Sequence, residues 1–211
     1  MATDDTTRDH WWWRPGWHVG RSFYTWHILV DDQPAVHEFA KHLQPELQAT
    51  GALGPIPVEW LHMTMQGVGF TDEVSQEILD QIAAAVAERL AQLGPVPVTL
   101  GPPVVDAEGV NLPVHPAEAV DRVRRAVRDG IAAVCGTDQV PEAETGFRPH
   151  VSLAYSHAGG FPLAPIRDIL ARHAATISTV LKRATLIDIN RDNRVYQWQI
   201  IRRVPFGPGG P

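Results

Sequence analysis

Trp60-Leu61-His62-Met63-Thr64-Met65 and Arg148-Pro149-His150-Val151-Ser152-Leu153 share one pattern: histidine, apolar, hydroxyl, apolar. On an extended strand, residues two apart point to the same face, so each segment presents an imidazole and a hydroxyl together while the intervening residues pack behind. With the flanking apolar residues required, composition predicts roughly 0.16 chance copies, so two copies call for a common cause. If the strands converge, one histidine can take a proton from an attacking oxygen and the other can give one to a leaving oxygen. The hydroxyls can then hold the remaining oxygens of a phosphoryl centre.

These residues resemble the two-histidine phosphoesterase superfamily, which includes 2′-5′ RNA ligase-like proteins and 2′,3′-cyclic nucleotide phosphodiesterases. Gly69 after the first motif, and Phe147 and Pro149 around the second, add to the likeness. The resemblance implies an α+β fold of two similar antiparallel-sheet lobes, related by an approximate twofold axis, with helices outside and a cleft between. It implies hydrolysis of a 2′,3′-cyclic phosphate on a nucleotide or RNA end, or the reverse ligation, without metal or other cofactor. His62 and His150 would be the acid–base pair, and Thr64 and Ser152 the phosphate-oxygen donors. The expected assignment has His150 activating water and His62 protonating the leaving sugar oxygen. Many relatives carry an arginine five positions after the second histidine, where this chain has Tyr155; Arg148 is a candidate substitute for that charge, although a solvated strand-edge arginine is the simpler reading. Tyr24, Trp26 and His27, in the first predicted strand, are further candidates for contact with a base, although packed core is the simpler role for them.

Around the motifs, hydrophobic periodicity predicts one α+β unit without a low-complexity linker. Strands are expected at 22–30 and 58–68, near 96–105 and 109–114, and at 151–155. Helices are expected over 33–50, 72–93, 116–135 and 165–175. Two alternating runs, 179–190 and 194–204, joined at Arg191-Asp192-Asn193, predict a β-hairpin. The organisation expected is a tryptophan-rich segment at 1–20, one bilobal domain over 21–205 and a flexible tail at 206–211. The segment His10-Trp11-Trp12-Trp13-Arg14-Pro15-Gly16-Trp17 holds four of the seven tryptophans, and its expected role is to pack on its own domain.

The chain has 211 residues, 44% hydrophobic and 20% charged, which excludes a disulfide-stapled miniprotein, a disordered tail and a fibrous repeat. No apolar run reaches bilayer length, so a soluble, cytoplasmic, monomeric protein is expected, with no membrane partner. The lone Cys135 closes an apolar helical run and reads as core. A net charge of −6 argues against DNA or long RNA and favours a small nucleotide or a short terminus. Six basic side chains against two acidic ones after Thr179 make the C-terminal hairpin positive, and a solvated hairpin is its simplest reading. No metal-ligand spacing and no glycine-rich phosphate loop is present. Two rivals remain: a non-catalytic nucleotide-binding module, and a related enzyme acting on a non-nucleotide phosphorylated metabolite.

Overall fold

The computed structural model describes residues 5–208. Aromatic and β-branched residues favour extended backbone, and β1 (Phe23–Leu29) forms from them. In α1 (Pro34–Ala49), Pro34 occupies the first turn, where its missing N–H has no cost, and Val36, Ala40, Leu43 and Leu47 make the buried stripe. There follow β2 (Leu53–Pro55), β3 (His62–Phe70), α2 (Gln76–Leu90), β4 (Val96–Leu100), β5 (Val104–Val105), β6 (Gly109–His115) and α3 (Ala117–Cys135). The chain ends with β7 (His150–Ser156), α4 (Ala164–Arg172), β8 (Ile177–Leu181), β9 (Arg183–Asn190) and β10 (Gln197–Pro205). No helix among the described residues is long and apolar enough to cross a membrane.

The strands form two antiparallel sheets, ordered β10-β9-β1-β3 and β2-β7-β6-β4-β8, with β5 on the flank of β6. The fold is α+β, as expected. Three local expectations change. The strand predicted from Val58 begins only at His62, because Val58–Trp60 coils into a 3-10 turn. The run 179–190 breaks at Lys182, sending β8 into one sheet and β9 into the other. Phe206 is no free tail: its ring is buried and its amide donates to the Lys182 carbonyl. Residues 209–211 lie outside the described range.

The units β1-α1-β3 and β6-α3-β7 repeat one another in register. Leu29 lies opposite His62 and His27 opposite Thr64; Pro113 lies opposite His150 and Asn111 opposite Ser152. Both pairings then slip by one residue, so that Met65 and Leu153 bulge from their strands. A bulge leaves an unpaired residue and re-aims its neighbours, and here it falls on the last apolar residue of each motif. The helix belonging to the opposite unit captures the bulged carbonyl. Gln44 of α1 donates to the Leu153 oxygen at 2.9 Å, and the Arg124 Nε of α3 donates to the Met65 oxygen at 3.0 Å. Arg124 is 3% exposed and also donates to the carbonyls of Ala143 and Glu144, in the loop that leads to β7. Gly130 lets α3 lie against α2, since a Cβ there would meet Val86 backbone atoms at 2.8 and 2.9 Å.

Arg124→Met should therefore leave three carbonyls without donors and destabilise the protein by about 3 kcal/mol. Urea unfolding checks this, and a loss below about 0.5 kcal/mol would contradict the role given to Arg124.

Candidate active site

The two sheets face each other across a cleft of about 550 Å³, a size suited to a small ligand. Strand β3 brings His62 and Thr64 to it, and β7 brings His150 and Ser152, so the two motifs converge. Each motif histidine is the first residue of its strand and is held in the same way. His62 Nδ1 lies 2.9 Å from the Trp60 carbonyl, and His150 Nδ1 lies 2.8 Å from the Arg148 carbonyl. A carbonyl only accepts, so Nδ1 carries the proton in both rings and Nε2 is the atom left for chemistry.

The surroundings of the two histidines differ. His62 is buried, His150 exposed. The His27 ring stacks on His62 with centroids 4.5 Å apart and planes 3° off parallel, while Tyr196 and Trp198 meet His62 edge-on at 6.0 and 5.2 Å. Burial, with a smaller contribution from the His150 charge, lowers the His62 pKa to about 4, against the pull of the Trp60 carbonyl. His27 is pushed well below its ordinary value by burial and by His62. The hydroxyls invert this pattern: Thr64 is exposed, whereas Ser152 is buried and donates to Asn111 Oδ1 at 2.7 Å. Asp106 Oδ2 accepts from Asn111 Nδ2 at 3.0 Å, which turns the amide oxygen toward Ser152.

The sequence pattern of the 2'-5' RNA ligase superfamily matches residues 30–193. The chain belongs to this superfamily. A search of curated proteins finds no sequence match. Among solved structures, TT0787 of Thermus thermophilus is 17% identical with a TM-score of 0.66, covering 90% of this chain and 100% of its own. LigT of E. coli in its apo form is 15% identical with a TM-score of 0.63, covering 89% and 98%. The PDE domain of MHV ns2 is 13% identical with a TM-score of 0.52, covering 81% and 99%. At these identities the likeness is one of fold.

For a member of the 2'-5' RNA ligase superfamily, several of the residues marked in the sequence need reassignment. The cleft face of β1 carries Phe23, Thr25 and His27. Tyr24 and Trp26 point the other way: Trp26 is wholly buried in the core and Tyr24 packs against it, so neither meets the cleft. The Arg148 side chain is exposed and does not line the cleft; what it offers His150 is its backbone carbonyl. Tyr155 does line the cleft.

Two cations line the cleft: Arg14, from the tryptophan-rich segment, and Arg191, one of the six basic residues of the C-terminal hairpin. His10 joins them. Its ring lies on Tyr155 at 4.0 Å, with Nδ1 3.1 Å from Glu108 and Nε2 3.1 Å from the Tyr196 hydroxyl. Burial and then Arg14 lower its pKa to about 4, with Glu108 opposing. Of the other hairpin cations, Arg183 and Arg203 pair with Asp31, and Arg194 pairs with Asp9. The only local signal for the tryptophan-rich segment that carries His10 and Arg14 was its density of aromatic residues. Among the described residues, no group of three or more His, Cys, Asp or Glu is placed to hold a metal ion.

His10, His27 and His62 all remain neutral in the fold at pH values where an unfolded chain takes up protons. Their folded pKa values lie below the unfolded value of 6.5, so their contribution to stability is intact above about pH 6.5 and is lost as the pH falls toward 4. A single shift to about 4 accounts for about 3 kcal/mol of that loss. Urea unfolding at pH 7.5 and pH 4.5 should show a marked drop at the lower pH, and equal stabilities would contradict the burial of these rings.

Proposed function

We propose that this protein is a phosphodiesterase that opens a 2′,3′-cyclic phosphate on a nucleotide or RNA end. The matched fixing of His62 and His150, each by an Nδ1–H bond to the carbonyl two residues back, is the observation that carries this reading. Both rings offer Nε2 to one cleft from facing strands. Water oxygen bonds to phosphorus while its proton passes to one Nε2. The bond from phosphorus to one sugar oxygen breaks, and that oxygen takes the proton carried by the other Nε2. The products are a phosphomonoester and a free sugar hydroxyl, and the reaction as written needs only the two imidazoles.

The environments favour the roles opposite to those expected from sequence. His62, kept neutral by burial, is suited to accept the proton from water, and exposed His150 to deliver one to the leaving oxygen. Thr64 has an exposed hydroxyl for a non-bridging oxygen. Ser152 must release Asn111 before its proton can serve the phosphate. Nucleotide recognition by relatives of this fold supports the substrate class: E. coli LigT has been solved with phosphate and with 3'-AMP. The MHV ns2 structure is named as a PDE domain.

Hydrolysis of the four 2′,3′-cyclic mononucleotides in EDTA, with product isomers identified, tests the reading. Wild type should turn over, and His62→Ala and His150→Ala should each lose about 10²- to 10⁴-fold in rate. Full activity in either variant, or turnover that EDTA abolishes, would sink the two-histidine mechanism.

With His62 as base, kcat/KM should rise with pH through an acid limb near 4. An acid limb well above 4 would contradict His62 as the base.

Thr64→Val should cost roughly 10² in kcat, more than Ser152→Ala, because only the Thr64 hydroxyl is without a protein acceptor. The reverse order in steady-state kinetics would show that Ser152 exchanges Asn111 for the phosphate.

A further inference from the structure

The tryptophan-rich segment runs along the rim of the second sheet before it turns over the cleft. Thr7 N donates to Phe161 O at 2.8 Å, Gly160 N to Thr7 O at 2.9 Å and His10 N to Ser156 O at 3.0 Å. The His10 ring is then locked between Glu108 and the Tyr196 hydroxyl, and Arg14 and Trp17 continue along the cleft wall. From the turn between β9 and β10, Arg191 reaches beneath this strap. Its guanidinium lies 5.4, 5.9, 6.0 and 5.7 Å from the rings of Trp11, Trp13, Trp17 and Tyr196. Arg191 is 3% exposed, yet it lines the cleft.

Three carboxylates, Asp106, Glu108 and Glu142, also line the cleft, but among the described residues none forms an ion pair with Arg191. Glu108 takes Arg8 at 2.9 Å and His10 at 3.1 Å, leaving Arg14 at 3.5 Å. Asp9 is engaged by Arg194 at 2.8 Å. Arg191 Nη2 donates to the His10 carbonyl at 3.1 Å, but Arg191 Nη1 and Arg14 Nε are buried without any partner. A buried guanidinium N–H without an acceptor is costly, and two on one cleft wall match an anion that brings several oxygens at once. We infer that Arg191 and Arg14 form a second anion subsite in the cleft, which takes a phosphomonoester carried by the substrate in addition to its scissile phosphodiester. The inference rests on the proposed phosphodiesterase reading for the position of the scissile group.

The subsite is separate from the reacting centre. The ring of Tyr196 stands against His62 on one side, at 6.0 Å, and against Arg191 on the other, at 5.7 Å. The scissile phosphate has its own partners on the two motif strands, and Arg148, the expected cation beside them, points its side chain elsewhere. Arg14 lies outside the span matched by the superfamily pattern, whereas Arg191 lies within it, near its end. The substrate class is then a mononucleotide with a cyclic phosphate at one side of the sugar and a phosphomonoester at the other.

Calorimetric titration of the full chain with 3′-AMP and with adenosine 3′,5′-bisphosphate tests this. Wild type should bind the bisphosphate about tenfold more tightly. Arg191→Met and Arg14→Gln should each remove most of that advantage while leaving 3′-AMP affinity within about threefold. Arg14 is half-exposed, so Arg14→Gln keeps the test sound if Arg191→Met loosens the strap. Equal affinities in wild type, no binding of the bisphosphate, or equal weakening of both nucleotides in the variants would each overturn the subsite. Turnover of 2′,3′-cyclic AMP, measured separately, keeps the two ideas apart. Turnover without a bisphosphate advantage removes the subsite alone, and the advantage without turnover removes the phosphodiesterase reading alone.

Discussion

In both halves of the cleft a histidine at the start of a strand gives its Nδ1 proton to the carbonyl two residues earlier in its own chain. This short bond fixes the ring plane and the tautomer together, and it leaves Nε2 as the reactive atom on each side. It requires the chain to enter the strand in one way only. The bulge three residues later serves the same end, and in each half the helix of the other unit secures the bulged carbonyl through Arg124 or Gln44. Movement of one unit against the other would break these bonds, so the positions of the two imidazoles are set by the packing of the whole domain.

A repeated frame does not make repeated chemistry. His27 and Asn111 hold equivalent places, each opposite the hydroxyl residue of its motif. Asn111 takes the proton of Ser152, while His27 stacks on His62 and helps to bury it. One half therefore has a buried imidazole and a free hydroxyl, and the other has an exposed imidazole and an occupied hydroxyl. Under the proposed mechanism, such a difference in burial would suit two groups that act in opposite senses on one phosphorus.

The N-terminal strap adds a third element that the repeat does not contain. Its backbone continues the rim of one sheet, and its side chains meet residues of the hairpin in the other. Tyr155 supplies a flat face for His10, and Arg14 and Arg191 line the same cleft.

The α+β architecture and the paired motif residues that meet in the cleft were legible because they rest on short-range rules. Period-two alternation puts His62 beside Thr64 and His150 beside Ser152, and apolar spacing marks the buried stripes of the helices. The face of β1 that meets the cleft was not legible: Tyr24 and Trp26 alternate with Thr25 and His27, and only the helices packed behind decide which pair is core. Nor could local pattern tell Arg148 from Arg191, since both are single cations beside a strand. The sequence by itself determined the motifs, the helices and most of the strands, because backbone geometry links near neighbours. Tertiary structure decided burial, proton affinity and the source of charge, because these depend on which side chains, often more than a hundred residues apart, exclude water from one another.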